Sequence, residues 1–479
     1  MAPIFANQSC DPFQPRSSPC TLGNYVRYAV DARSPRDIAA TLAFARKHDI
    51  RFVIRNTGHD FSGRSTGAGA LAVWTHRFKD TRILDWNDGH YVGKALKVGS
   101  GVLGHEALEA ARRAGLIIVS GACATVGLAG GYIQGGGHSP LTASYGLAAD
   151  NTLSFDVVLP SGRLVTASRS ENRDLYWALS GGGGGTYGVV TSVTVRAHPD
   201  AVVAGGTFSI EAPRNNRSQI YDILDDFHAA LTRMVDADGF VFYSVNQGSL
   251  QSLGTTYYNK TKAQVRAVTQ PFLDLAASRG FAVNFTYTEF PNYFDHYIHY
   301  LGPLPEGVFP VGTTLQGGRL IPRSVVPRLS PAVRKIVEMG VTFNGFGINV
   351  ARFGRDGANA VLPRWRDAMI SSVLMFPYDF QKPVRDMWAL QDKLTRQVQP
   401  VIEAATPGGG AYMNEADFQQ PDFQRTFYGS NYGKLLAIKR RYDPEGLLYG
   451  KTNVGSEDWE VDEGGRLCRA GGGEHRGDF

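Results

Sequence analysis

Two glycine-punctuated segments each carry a side chain able to act as a nucleophile. The first, Arg55-Asn56-Thr57-Gly58-His59-Asp60-Phe61-Ser62-Gly63-Arg64-Ser65, holds an imidazole. The second opens with the thiol of Gly121-Ala122-Cys123-Ala124-Thr125-Val126-Gly127 and runs through Gly130-Gly131-Tyr132 to Gly135-Gly136-Gly137-His138-Ser139. Backbone amides approach a pyrophosphate closely only where Cβ atoms are absent and φ is free, and successive exposed N–H groups make a nest for an anion. Both segments therefore suit a dinucleotide. Each part also has a plainer reading: a glycine loop is often a tight turn, a loop histidine caps carbonyls, and a free cysteine is commonly a small buried filler. Gly181 to Gly185 is a weaker third loop. No G-x-G-x-x-G opens a helix after the first strand, so a Rossmann site has no support. Gly446 to Thr452 (GLLYGKT) has three residues between its glycines where a P-loop needs four, and no helix pattern follows it.

Loops of this kind need elements to hold them. Pro35 to Lys47 reads as an amphipathic helix with Ile38, Leu42 and Phe44 apolar, followed by a short buried strand at Arg51 to Arg55. Ala70 to Trp74, Ala95 to Val98, Phe155 to Leu159, Gly162 to Ala167 and Gly188 to Arg196 are further strands, and Gly104 to Ala114 a helix. From Ala204 to about Gln399 the character changes. Longer alternating strands at Gly205 to Glu211, Gly239 to Asn246, Phe281 to Thr288 and Val341 to Phe353 are separated by helices at Gln219 to Val235 and Lys262 to Ala277. This predicts an antiparallel sheet covered by helices. Pro407 to Gly410 marks a boundary, and the terminal AGGGEHRGDF reads as a disordered tail.

Composition bounds the rest. The 479 residues exceed one compact core, and 43% hydrophobic with 19% charged residues describes a globular chain. The 56 glycines, about 12% against a usual level near 7%, are a surplus that the loops absorb. A net charge of +5 with scattered Lys and Arg gives no footprint for nucleic acid. No apolar run is long enough to span a membrane, and no metal-ligand spacing stands out. The N-terminus lacks the basic and apolar regions of a signal peptide, which leaves a cytosolic protein or a mature secreted one. Cys10 and Cys20 bracket a Pro-rich loop of a length that a disulfide closes readily, and N-x-S/T sequons stand at Asn7, Asn216, Asn259 and Asn284. Together they favour an oxidising compartment, hence secretion, over the cytoplasm.

The order of motifs is more specific than any one of them. A strand, then R-N-T-G-H-D-x-x-G-R-S, then C-x-T-V-G with a glycine-triplet loop, then Gly146-Leu147-Ala148-Ala149-Asp150-Asn151 before another strand resembles the FAD domain of the vanillyl-alcohol-oxidase and p-cresol-methylhydroxylase superfamily. Tyr412-Met413-Asn414-Glu415-Ala416-Asp417, Phe427-Tyr428-Gly429-Ser430-Asn431-Tyr432 and Lys439-Arg440-Arg441-Tyr442-Asp443-Pro444 resemble the closing segment of berberine-bridge-enzyme-like oxidoreductases of the fungal type. The resemblance implies an α+β fold with a two-part FAD-binding domain and a central substrate domain. Its divisions are an extension at 1–23, the FAD-binding domain at 24–200, a substrate domain at 201–404, a closing FAD-domain segment at 405–460 and a tail at 461–479.

The same resemblance implies bicovalent FAD, with His59 on the 8α-methyl carbon and Cys123 on C6. The FAD-contacting positions it marks are Arg55, Asn56, Thr57, Gly58, Asp60, Ser65, Val126, Gly127, Gly131, Tyr132, Gly135, Gly136, Gly137, His138, Gly188, Val189, Asn414 and Asn431. The chain departs from the group in having one residue more between the cysteine and the glycine triplet and Tyr132 where a histidine is usual. Hydride removal from carbon needs a base for the O–H or N–H proton. Glu415 occupies the position where carbohydrate oxidases of the family carry a tyrosine, and Tyr428 and Asn349 are expected to orient the substrate. The expected function is oxidation of a small alcohol, phenol, amine or secondary metabolite with O2 as acceptor, by a monomer. A bulky Leu128 after T-V-G is expected to restrict oxygen. The alternatives are a flavin-containing isomerase or cyclase without net redox turnover, a dehydrogenase with another acceptor, and a binding module in which the motifs are accidental.

Overall fold

A computed structural model describes residues 4, 13–213, 216–309, 312–354, 357–462 and 464–470. The helix Pro35–Lys47 starts where Ser34 and Asp37 form a reciprocal capping box, the Ser34 hydroxyl accepting from Asp37 N–H and the Asp37 carboxylate from Ser34 N–H. Its buried face is Ile38, Thr41, Leu42 and Ala45, the i, i+3, i+4, i+7 spacing of one stripe. Phe44, expected on that face, is 52% exposed, because six residues from Ile38 rotate it far round the helix.

Three short strands beside this helix form a parallel sheet in the order Tyr28–Asp31, Leu71–Trp74, Phe52–Arg55. An antiparallel sheet follows, ordered Thr81–Asn87, Val92–Gly99, Val189–Arg196, Thr152–Val158, Leu164–Ser168. The closing segment returns to this unit. Leu448 bridges Phe52 in parallel, and buried Lys439 donates to Asp443, Thr186 O and Leu448 O. The first and last segments are thereby one body, as expected for a two-part FAD domain.

The central region folds into a seven-stranded antiparallel sheet: Asn284–Phe290, Val203–Glu211, Ser249–Tyr258, Gly239–Asn246, Thr342–Gly347, Ala368–Pro377, Thr314–Pro322. Its period-two alternation separates two faces. Val241, Tyr243, Val245, Phe343 and Leu374 join the core beneath the helices Ile220–Asp236, Lys262–Ser278 and Ser330–Glu338. Phe240, Phe242, Phe346 and Val373 point the other way, toward Tyr412 and Trp365. Ser249–Tyr258, Thr314–Pro322 and Ala368–Pro377 escape sequence patterning. The first carries several Ser and Thr, and the second is broken by Gly317, Gly318 and a buried Arg319 that donates to Thr406. The strand expected over Val341 to Phe353 ends at Gly347, after which Asn349 accepts from Ala351 N–H in a turn.

At the termini, Phe13 stacks on Phe380 and Gln14 donates to Phe380 O. Cys20 is disulfide-bonded and Cys123 and Cys468 are free, while Cys10 and Asn7 lie outside the described residues. Trp459–Val461 pairs with Leu467–Arg469 in a hairpin that straddles the expected start of the tail at 461, and 471–479 lie outside the described residues. Asn216, Asn259 and Asn284 are exposed. Among the described residues no helix is long and apolar enough to cross a membrane, and no His, Cys, Asp and Glu cluster could hold a metal.

Candidate active site

An elongated cavity of about 420 Å³ runs along the glycine loops, with Phe52, Ile54, Leu448 and Tyr449 among its walls and Phe242, Phe346, Val373 and Met375 contributed by the central sheet. The strand Phe52–Arg55 delivers the first loop to it. Asn56 is fixed by donating to Thr75 Oγ1 and Ser100 O, while its own carbonyl accepts from Trp74 Nε1. From that anchor Asn56, Thr57, Gly58, His59, Asp60 and Ser65 line the cavity. Gly127 must be glycine: a Cβ there would lie 1.8 Å from Asn56 Oδ1.

His59 Nε2 lies 2.8 Å from Thr125 Oγ1, and Cys123 Sγ lies 3.9 Å from the same hydroxyl. The two side chains singled out as nucleophiles thus share one neighbour. Burial lowers the His59 pKa to about 4, so its imidazole is neutral near pH 7. Burial raises the Cys123 thiol, and the Thr125 hydrogen bonds oppose that rise. Tyr297, from the central region, donates to Gly121 O and Ala122 O and holds the segment that carries Cys123.

The second loop is shaped by contacts from both ends of the chain. Asn414 Nδ2 donates to Gly131 O at 2.7 Å and to Tyr412 Oη, while its Oδ1 accepts from Arg64. Tyr132 Oη donates to His138 O at 3.0 Å. Gly137 has φ +74°, and a Cβ there would meet the Tyr132 ring and Ala148 at 2.9 Å. The turn returns His138 to the cavity. There its Nε2 faces both oxygens of Glu415, at 3.1 and 2.9 Å, and its ring packs near Phe346, Trp365 and Tyr412.

Val126, Gly127, Gly131, Tyr132, His138, Gly188, Asn414 and Glu415 line the cavity with the His59 and Cys123 loops. Arg55, Gly135, Gly136, Gly137 and Val189 lie close to lining residues in sequence but do not line the cavity themselves. Three expected residues point elsewhere. Asn431 donates to Ala360 O and Val361 O, and fully buried Tyr428 donates to Thr452 O at 2.9 Å. Asn349 donates to Asp236 at 3.2 Å beyond the end of its strand, and Asn344, two pleats earlier, is the asparagine on the cavity. Leu128 is also displaced from its expected place: it is 1% exposed in the domain core, and Ala129 and Gly130 form that stretch of wall. Thr125 and Arg64 were within motifs already marked, whereas Gln134, Phe242, Gln316 and Phe346 carried no sequence signal beyond strand or loop membership.

Six lining atoms are buried without a protein partner: Asn56 Oδ1, Ser65 Oγ, Ser100 Oγ, Gln134 Oε1, His138 Nδ1 and, from the central sheet, Gln316 Oε1. Buried polar atoms are rarely left so. Strung along one cavity beside a glycine-rich loop, they fit a long ligand with a pyrophosphate, hydroxyls and a heteroaromatic ring.

The family models agree with that fit. Residues 26–168 match the FAD binding domain and 411–455 match "Berberine and berberine like". FAD-linked oxidoreductase ZEB1 of Gibberella zeae is 49% identical over 470 residues, 98% of this chain and 83% of that protein. The chain belongs to the berberine-bridge-like, VAO-type FAD-dependent oxidoreductases. The crystal structure of VAO-type flavoprotein MtVAO615 from Myceliophthora thermophila C1 superposes on this oxidoreductase with a TM-score of 0.93 at 41% identity, covering 98% of this chain and 87% of that one. A more distant structure, described for its 6-S-cysteinyl, 8α-N1-histidyl FAD, is glucooligosaccharide oxidase from Acremonium strictum. It shares the fold at a TM-score of 0.70 and 20% identity, covering 90% of this chain and 92% of that one.

Proposed function

We propose that this oxidoreductase is an oxidase of a small organic alcohol or amine, with FAD tethered by His59 and Cys123 and Glu415 as the general base. The observation that carries the reading is the Glu415 carboxylate inside the cavity, with both oxygens facing His138 Nε2. FAD held here would supply a hydride acceptor that O2 can reoxidise, with H2O2 as the product. Glu415 takes the O–H or N–H proton as that bond pair closes the new C=O or C=N. His138, donating through Nε2, aims the carboxylate, whose remaining lone pairs face the substrate proton.

Support for the tether lies in the Thr125 hydroxyl. With the neutral His59 ring donating Nε2–H to Thr125, the lone pair is on Nδ1, the nitrogen free to add to an electrophilic carbon. Cys123 adds as a thiolate; burial disfavours that form, and the Thr125 hydroxyl beside it offsets part of the cost. Ala129 and Gly130, rather than Leu128, form the wall after T-V-G, and a methyl group beside a bare backbone leaves room for O2. The disulfide of Cys20 and the exposed sequons at Asn216, Asn259 and Asn284 support secretion.

Two measurements test the reading. Anaerobic substrate should bleach the flavin, with air restoring the colour and releasing one H2O2 per turnover. Slow reoxidation by air with fast reoxidation by a quinone would instead make the enzyme a dehydrogenase. A fluorescent band on a denaturing gel tests the tether, and complete release of yellow colour on acid precipitation would sink it.

A further inference from the structure

The roof of the cavity is unusually apolar for a site that would take a saccharide. The Phe242 and Phe346 rings, paired across adjacent strands, stack at 4.6 Å with 22° between their planes. Met375 continues this surface, and Leu253, 43% exposed, stands at its edge. A sugar presents a hydroxyl on nearly every ring carbon, and each one buried here without a partner would oppose binding. A flat ring compound instead matches the stacked phenyl faces.

Two amides interrupt this surface, on the strands to either side of Met375. Gln316 is the cross-strand partner of Met375. It donates to Thr314 Oγ1 at 3.1 Å, leaving Oε1 buried and without a partner. Asn344 donates to Met375 Sδ, a weak acceptor, at 2.9 Å. Each amide has one N–H engaged, and the buried acceptor left open on this surface is Gln316 Oε1.

Resting on the oxidase reading above, we infer that the substrate is an alcohol or amine built on a planar ring that lies on Phe242 and Phe346, and that a second hydroxyl of the ring, remote from the reacting carbon, donates to Gln316, with Asn344 as the second acceptor. Gln316 is then the specificity-determining residue of the roof. The ring supplies affinity and the hydroxyl supplies choice, since a site built around a hydrogen bond discriminates strongly against ligands that lack the donor.

Isothermal titration of the holoenzyme with 2-naphthol, 2-methoxynaphthalene and cellobiose tests this. The naphthol should bind about tenfold tighter than its methyl ether, one hydrogen bond's worth of discrimination, and cellobiose should give no heat at matched concentration. Gln316→Leu should bring the two naphthalenes to within about twofold while leaving the ether's affinity unchanged. Asn344→Leu, read the same way, should narrow the gap less. Cellobiose binding as tightly as naphthol would overturn the substrate class, and an unchanged naphthol-to-ether ratio in Gln316→Leu would overturn the role of that residue. Binding heat needs no electron transfer, so either failure is distinct from failure of the oxidase reading, which flavin bleaching reports.

Discussion

Glu415 and His138 meet across 277 positions of sequence, with Nε2 of the histidine 2.9 and 3.1 Å from the two carboxylate oxygens. The contact joins the closing segment to the glycine-triplet loop. It makes the cavity a product of both ends of the chain.

Replacing Glu415 by Gln keeps the side chain's shape and its contact with His138 but removes the base. The rate of anaerobic flavin reduction should fall by about 10²- to 10⁴-fold, with the FAD content of the purified protein unchanged. His138→Leu should lower the same rate less, since it leaves the carboxylate in place but unaimed. Full activity in Glu415→Gln would move the base elsewhere.

Thr125→Val removes the hydroxyl shared by His59 and Cys123 and little else. Mass spectrometry of tryptic flavopeptides should show a lower covalent fraction at both residues. His59→Ala should leave at most the cysteinyl link and Cys123→Ala at most the histidyl link. An undiminished covalent fraction in Thr125→Val would show that the hydroxyl has no part in attachment.

Arg64 ties three segments of the FAD domain together. It donates to Asp60 at 2.8 Å, and also to Asn453 Oδ1, Met413 O and Asn414 Oδ1. Its side chain is 8% exposed and that of Asp60 18%. Arg64→Met leaves the carboxylate buried without its cation, which typically destabilises by about 3–5 kcal/mol. Urea unfolding should register that loss, and Arg64→Met combined with Asp60→Asn should recover part of it.

Stability should fall in acid because several histidines are buried in the neutral form. Burial lowers His228 and His296 to about 3, with His228 held between Ser330 Oγ and Tyr243 Oη and His296 against Thr256 Oγ1. The unfolded chain protonates each near 6.5, so between that pH and about 3 it binds more protons than the folded one. Stability therefore falls as pH falls, by about 1.4 kcal/mol per pH unit for each such group. Asp417, raised to about 6 by burial, works in the opposite sense between about 4 and 6. Urea midpoints at pH 7 and pH 5 should differ accordingly, and His228→Gln should shrink the difference. An equal difference in that variant would mean another group governs the acid loss.

What the sequence determined by itself was whatever depends on neighbours along the chain. The capping box at Ser34 and Asp37 starts a helix from local hydrogen bonds, and the glycines at 127 and 137 announce a backbone that approaches other groups too closely for a Cβ. The motif order from His59 to Cys123 to Glu415 was enough to imply FAD and its family, and those residues all reach the cavity. Only the tertiary structure decided which of the nearby polar residues face it. Asn344 and Asn349 lie five positions apart, yet the strand's two-residue alternation aims the first at the roof while the turn after Gly347 carries the second to Asp236. Tyr428 is as motif-like as Asn414, but it points into the packed domain and is held by Thr452 O. The roof of Phe242, Phe346 and Gln316 depends on the pairing of strands distant in sequence, and the hydrogen bonding of His138 with Glu415 on two segments closing over each other. Such contacts are fixed by long-range packing, for which no local spacing is a record.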